Sequence, residues 1–325
     1  MSASGLPAIY YVCTLPARAG GEVINFQHVA TLRAMGLRAF ALLDSAARVA
    51  VPSRPYAVPL VTWGPHLQLR ADDWLVIPEV AGIANVQQLR QLPCRTVVHN
   101  QNPYYSFRGF PDMAAMNAHG LAGGITYGHV TLATLRRWGS TIDWQVVRPA
   151  VLPIFRSDRP KRRQIAYMPR KRAGEAEIVR QLLHGIHPDL AGVPWVEIND
   201  MSRPQVSELL AQSLVFASLS RLEGLGLPPL EAMAAGCLVC GYDGFGGREF
   251  ARPDNGFWVP DGDVEAFAEA IATALRLDAP TAATYVAAGR AMAASFSQER
   301  FHDELAAAWH HLLGDRWADY QVATA

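Results

Sequence analysis

Short apolar runs rich in Val, Ile and Leu recur along this chain, separated by longer stretches whose apolar positions follow helical spacing. Strands are predicted at Ala8 to Cys13, Arg38 to Leu43, Trp74 to Ile77, Arg95 to His99, Gly124 to Tyr127 and Trp144 to Val147. Helices are predicted between them, from Glu22 to Met35, Ile83 to Gln91 and His129 to Trp138, with Gly36 stopping the first. Residues 44–73 are rich in Pro and turn formers around a short apolar segment near Val58 to Trp63, and 100–120 reads as irregular. The alternation pauses at Pro149, Pro153 and Pro160 around a basic stretch, Arg159 to Arg163, which reads as a linker because no aromatic residues interleave with it. It then restarts with strands at Gln164 to Met168, Trp195 to Ile198, Leu214 to Ser218 and Leu238 to Gly241. Helices are expected at Glu175 to Leu183, Pro204 to Gln212, Pro229 to Ala235, Val264 to Arg276, Thr281 to Ala294 and Gln298 to Leu313. This order predicts two successive doubly wound α/β domains, 1–152 and 153–300, with a tail from 301 to 325. Ligands of open parallel sheets bind beyond the carboxyl ends of the strands, so a cleft there is the expected site.

Composition supports two compact domains. The chain has 325 residues, half of them hydrophobic, with only 18% charged. Net charge is zero, but residues 1–152 hold twelve arginines, no lysine and seven acidic residues. That basic first half would suit an anionic acceptor or a peripheral membrane contact, against the simpler reading of uneven surface composition. No signal peptide is read at the start, no apolar run is long enough to span a bilayer, and no nucleic-acid patch is found. Cys237 and Cys240 form a C-x-x-C without a second Cys or His pair nearby, and with Cys13 and Cys94 they read as buried thiols. The expected setting is a reducing cytoplasm, with the inner face of the membrane as the alternative.

A nicotinamide dinucleotide site would require G-x-G-x-x-G after a strand, and neither Leu15 to Gly21 nor the stretch after Met168 supplies it. The informative segment is Ser218 to Gly236, SLSRLEGLGLPPLEAMAAG. It runs from a strand end through a glycine loop into a helix. Pro228 and Pro229 suit the helix start, and Gly236 suits its end. Gly224 and Gly226 would let a ligand approach the backbone, and helix amides near Leu227 would attract a phosphate or sugar oxygen. Glu223 and Glu231 can each accept hydrogen bonds from sugar hydroxyls.

This phrase strongly resembles the E-x7-E signature of the retaining glycosyltransferases of family 4 (glycosyl transferases group 1), with Leu225 where Phe is commoner. Gly241 to Glu249 looks like the family's G-G-x-x-E loop, and Asn255 to Pro260 like its N-G turn. Met168-Pro-Arg-Lys-Arg172 sits where the family places basic residues, though with contracted spacing. The resemblance is good over about residues 160–310 and weak over 1–150. It implies the GT-B fold, two Rossmann-like domains facing each other across a cleft, with the C-terminal helix packing back on the first. It implies transfer of a hexosyl or deoxyhexosyl group from a nucleotide-diphosphate sugar to a glycan or lipid-linked acceptor, with retention and without a cofactor or metal. On this reading Glu231 binds the ribose and Glu223 the donor sugar. Arg170 and Lys171 bind the diphosphate, with the Gly224-Leu225-Gly226-Leu227 backbone beside them. Gly20 and Gly21 form a loop over the donor, and His99, at a strand end, is catalytic beside the transferred sugar. Glu79 is a candidate acceptor contact. No D-x-D is convincing, since Asp261-Gly-Asp263 lies in a turn and Asp72-Asp73 precedes a strand. The alternatives are a nucleotide-sugar epimerase of the same fold, which would change free donor, and a non-catalytic donor-binding subunit, which would do neither alone.

Overall fold

The computed structural model describes residues 6–13, 20–43, 57–81, 83–89, 91–156 and 159–321. It divides into one unit of residues 1–149 and 301–325 and a second of residues 150–300.

The first unit opens with β1 (Ile9–Cys13), α1 (Gly20–Ala34), β2 (Ala39–Leu43), β3 (Leu60–Thr62) and β4 (Trp74–Pro78). It continues with α2 (Ile83–Leu89), β5 (Arg95–Asn100), α3 (Met113–Asn117), β6 (Gly123–Thr126), α4 (His129–Arg137) and β7 (Trp144–Val146). Among the described residues the strands form one parallel sheet in the order β3-β2-β1-β4-β5-β6-β7. The strands read as unbroken apolar runs because both faces are covered: β4 is buried throughout, and five of the six residues of β5 are buried. The order reverses between β1 and β4, the point at which a doubly wound sheet opens its ligand crevice.

The second unit holds β8 (Arg162–Tyr167), α5 (Ala173–Ile186), β9 (Trp195–Glu197), α6 (Arg203–Gln212) and β10 (Ser213–Leu219). Then come α7 (Leu227–Ala234), β11 (Leu238–Tyr242), β12 (Phe257–Val259), α8 (Val264–Arg276) and α9 (Ala279–Ala294). Its parallel sheet has the order β12-β11-β10-β8-β9, reversing between β8 and β10. Val215, Ala217, Cys240 and Tyr242 pack with Val179, Leu183, Phe267 and Ile271 of the covering helices.

The chain ends with α10 (Gln298–Leu313), which from Phe301 onward belongs to the first unit. Buried Trp309 donates its indole N–H to the Tyr11 hydroxyl at 3.2 Å, and Phe301 stacks edge-on against His28. Glu304 takes the Arg148 guanidinium and its backbone N–H, at 2.9 Å and 2.8 Å. Further on, the Tyr320 hydroxyl accepts from Trp74 at 2.8 Å.

Three readings need correction. Gly20 and Gly21 are the first two residues of α1 and not a loop; the residues expected to form the loop, 14–19, lie outside the described residues, as do 44–56 of the turn-rich stretch. The stretch 100–120 is not irregular: a 3-10 helix over Pro103–Arg108 is capped by Asn102, and α3 is capped by Asp112. Phe257–Val259, read as part of a turn, pairs in parallel with β11. Three residues are too few to show alternation, so only the partner strand reveals it.

Candidate functional site

In the second unit the site residues gather where the strand order reverses, beyond the carboxyl ends of β8 and β10. The loop after β10 is locked by glycine. Gly226, φ +90°, sits in the left-handed region immediately before α7. The Glu223 N–H donates to the Gly244 carbonyl at 2.9 Å, so the G-G-x-x-E segment docks directly on this loop. A side chain at Gly246 would place its Cβ 2.6 Å from the Gly224 carbonyl carbon. α7 closes with a paired turn in which Cys237 N–H reaches the Ala232 carbonyl and Gly236 N–H the Met233 carbonyl, both at 2.9 Å. Gly236 at φ +76° makes that turn affordable to the backbone.

Glu223 and Glu231 differ in setting. Glu223 is partly exposed and forms a 2.6 Å ion pair with Lys171 Nζ, which also donates to the Arg221 carbonyl at 3.1 Å. Glu231 is buried on α7 and accepts from Arg203 Nη1 at 2.9 Å. Burial pushes its carboxyl above the usual range, and the Arg203 guanidinium opposes that rise. Sequence reasoning missed Arg203, the first residue of α6, because nothing in a Ser-Arg-Pro helix start marks a partner 28 positions away.

The three adjacent basic residues separate cleanly. Arg172 is consumed internally: its guanidinium binds Glu175 at 2.6 Å and 2.9 Å, pairs with Asp261, and lies over the Tyr242 ring. Arg170 is exposed and makes no ion pair with another described residue. Lys171 lies between them in exposure and faces Glu223. At the helix N-terminus, Pro228 and Pro229 carry no N–H, so of the first three helical residues Leu227 alone carries a backbone donor. Leu225 is buried, so it offers its backbone and not its side chain.

The aspartates of the two formal acidic pairs are occupied structurally. Asp261 pairs with Arg172, and Asp263 caps α8 through the Ala266 N–H at 2.9 Å. Asp73 accepts from the N–H groups of Ala8 and Arg70, each at 2.8 Å, and Asp72 lies beside Arg70. Among the described residues no group of three or more His, Cys, Asp or Glu is placed to hold a metal. The four cysteines are buried thiols. Cys237 donates to the Leu210 carbonyl at 3.2 Å, and burial pushes its thiol up to about 11. No helix among the described residues is long and apolar enough to cross a membrane.

In the first unit the candidates converge beyond the ends of β1, β4, β5 and β6. His99, at the end of β5, is 1% exposed, and burial holds its imidazole down at about 3, neutral through the ordinary pH range. Its Nδ1 lies 3.0 Å from Asn25 Oδ1. Gln101 sends its amide N–H groups to Asn25 Oδ1 at 2.9 Å and to the Gly21 carbonyl at 3.0 Å. A Cβ at Gly21 would overlap that Gln101 amide, which gives Gly21 a requirement of its own. Glu79, just past β4, accepts the Gln101 backbone N–H at 3.1 Å, and burial pushes its carboxyl up to about 7. Tyr127, just past β6, has its phenol pushed well up by burial and by the nearby Glu79 and Glu22. Among the described residues the buried atoms His99 Nε2, Asn100 Oδ1, Thr126 Oγ1 and Tyr127 Oη have no hydrogen-bond partner. Buried polar groups are nearly always paired, so this cluster is suited to a polar ligand. Glu22, Asn25, Gln101 and Tyr127 were not singled out from sequence. A helix N-terminus and three strand ends bring them together, and no local pattern records that.

Comparison with known proteins places these observations. Residues 198–292 match the family described as Glycosyl transferases group 1. Over 263 residues the chain is 28% identical to an alpha-1,6-glucosyltransferase of Actinobacillus pleuropneumoniae serotype 7 (strain AP76), covering 79% of each protein. It is 36% identical over 114 residues to a D-inositol 3-phosphate glycosyltransferase of Mycobacterium avium (strain 104), covering 34% of this chain and 27% of that protein. The structure superposes on Anabaena Alr3699/HepE in complex with UDP and glucose with a TM-score of 0.72, at 13% identity, covering 94% of this chain and all of the other. The two Rossmann-like units therefore have the GT-B fold, and residues 198–292, which hold Glu223 and Glu231, are the part of the chain that matches the glycosyl transferases group 1 family.

Proposed function

We propose that this chain is a retaining glycosyltransferase that moves a hexosyl group, glucose first among those to be tested, from a nucleotide-diphosphate sugar to a glycan or lipid-linked acceptor. The observation that carries the reading is the pair of carboxylates with seven residues between them at the reversal point of the second sheet, each held by a cation: Glu223 by Lys171, Glu231 by Arg203. The glucosyltransferase relative supports the choice of sugar, and the UDP and glucose bound to Alr3699/HepE support the class of donor.

In this proposal Glu231, buried and oriented by Arg203, accepts from the ribose hydroxyls. The diphosphate draws Lys171 away from Glu223, with Arg170 and the Leu227 amide beside it. Glu223 is thereby released to accept from the donor sugar. These cations and the amide take the charge that develops on the departing diphosphate, the work a divalent metal does in other transferases. Arg172 has no such role, because its guanidinium is buried and already paired with Glu175 and Asp261. His99 meets the transferred sugar as a neutral hydrogen-bonding group. No carboxylate is assigned beneath the anomeric carbon, so the acceptor hydroxyl attacks on the face the diphosphate leaves, and the diphosphate takes its proton. The acceptor is read by the first unit, and an acceptor held at a membrane would meet its basic surface.

A thermal-shift panel of nucleoside diphosphates and nucleotide sugars tests this. A ligand at a hundred times its Kd stabilises by about 2.7 kcal/mol, a readily measured shift. At least one nucleoside diphosphate and its glucose conjugate should raise the midpoint, and Glu231→Gln should reduce the response to both. A flat response to every nucleotide would overturn the proposal.

A further inference from the structure

The hydrogen bonds around His99 determine which of its ring nitrogens carries the proton. The Gly21 carbonyl can only accept, so the Gln101 group facing it at 3.0 Å is the amide NH2. That NH2 also points at Asn25, 2.9 Å away, which must therefore present its Oδ1. The other side of Asn25 agrees: its Nδ2 donates to Glu22 Oε2 at 3.1 Å, a carboxylate oxygen that accepts. Both hydrogens of the Gln101 amide are now used, so its 3.4 Å approach to His99 Nδ1 is not a hydrogen bond. His99 Nδ1 lies 3.0 Å from an acceptor, Asn25 Oδ1, and must donate to it. The neutral ring has one N–H, so Nε2 carries a lone pair. The ring cannot turn freely to change this, because Tyr127, Tyr11 and His28 pack around it with centroids 5.4, 6.1 and 4.5 Å away.

We infer that Asn25, fixed by Glu22 and Gln101, is a positioning residue that holds His99 with its proton on Nδ1, so that the unpartnered Nε2 accepts a hydrogen bond from a ligand hydroxyl. A phosphate or carboxylate oxygen, which has no proton to give, is disfavoured there. This inference rests on the transferase reading for the identity of the ligand, a sugar hydroxyl, but not for the tautomer. His28, next to it, is held in the opposite form. The Trp309 indole can only donate to the Tyr11 hydroxyl, at 3.2 Å, leaving the hydroxyl proton for His28 Nδ1 at 3.0 Å. His28 thus carries its proton on Nε2 and serves as an internal control.

Long-range 1H–15N correlation spectra of protein labelled at histidine test this, with His99 and His28 assigned from His99→Gln and His28→Gln. The expected result is an Nδ1–H ring for His99 and an Nε2–H ring for His28. A saturating nucleotide sugar should shift the His99 Nε2 resonance without protonating it, whereas the matching nucleoside diphosphate should leave it in place. Asn25→Leu should mix the His99 tautomers and lower kcat about tenfold, with nucleoside diphosphate affinity unchanged. An Nε2–H ring in the wild type would overturn the inference, as would an unchanged His99 spectrum in Asn25→Leu, whatever its activity. If no nucleotide sugar binds, the transferase reading fails by itself and the unliganded spectrum still decides the tautomer.

Discussion

Glu79 gives the clearest quantitative test of how the first unit is built. Its carboxyl is 3% exposed, and burial lifts it from 4.5 to about 7 despite the backbone N–H groups it accepts. Between those values the unfolded chain has released the proton and the folded chain keeps it. The folded state then binds more protons, so stability falls as pH rises through this window and levels off above about 7. At about 1.4 kcal/mol per pH unit, a rise of about 2.5 units amounts to roughly 3 kcal/mol. Glu79→Gln keeps the shape and an acceptor oxygen for the Gln101 N–H, but it cannot ionise. The stability of this variant relative to wild type should therefore increase by about 3 kcal/mol from pH 4.5 to pH 8. At a urea slope of about 3 kcal/mol per molar, the two midpoints should separate by about 1 M more at pH 8 than at pH 4.5. Groups that titrate equally in both proteins cancel from the comparison. A separation that does not change with pH would refute the reasoning, because it would mean that Glu79 ionises as freely in the folded protein as in the unfolded one.

The remaining predictions concern the second unit. Lys171→Ala and Arg170→Ala should each weaken nucleoside diphosphate binding about 10- to 100-fold by calorimetry, the value of one charge-assisted hydrogen bond. Arg172→Ala should instead lower the melting temperature, because its contacts are internal, and similar binding losses in all three variants would contradict the assignment. Arg203→Ala removes the cation beside buried Glu231 and should cost about 3 kcal/mol of stability together with nucleotide affinity; an unchanged urea midpoint would show that the pair carries no weight. Transfer activity should persist in excess EDTA, and a complete loss restored by Mg²⁺ or Mn²⁺ would end the metal-independent reading.

What was legible in the sequence follows from the range of the interactions. Long parallel strands announce themselves, since burial on both faces makes them continuous apolar runs, as in Trp74–Pro78 and Ser213–Leu219. The phrase from Glu223 to Gly236 is equally visible, because its glycines, prolines and carboxylates all serve one local strand–loop–helix turn. Contacts between distant segments leave no such trace. Arg203 reaches Glu231 from another helix, and Asn25 meets His99 from 74 positions away. The role of Arg172 was open for the same reason: three adjacent basic residues look alike until Glu175, Asp261 and Tyr242 close around one of them. The resemblance implies a loop at Gly20 and Gly21, whereas α1 begins with them and the Gln101 amide fills the space beside Gly21, a contact 80 positions away that no local pattern records.

The central claim, sugar transfer with retention, is tested most directly by incubating the protein with an isotopically labelled nucleotide-diphosphate glucose and a panel of glycan and lipid-linked acceptors. The anomeric coupling of the product is then read by proton NMR. The account predicts acceptor-dependent release of the nucleoside diphosphate and a product with the donor's anomeric configuration, both lost in Glu223→Gln. An inverted linkage, a glucosyl adduct trapped on Glu223, or a donor epimerised without any acceptor would contradict it.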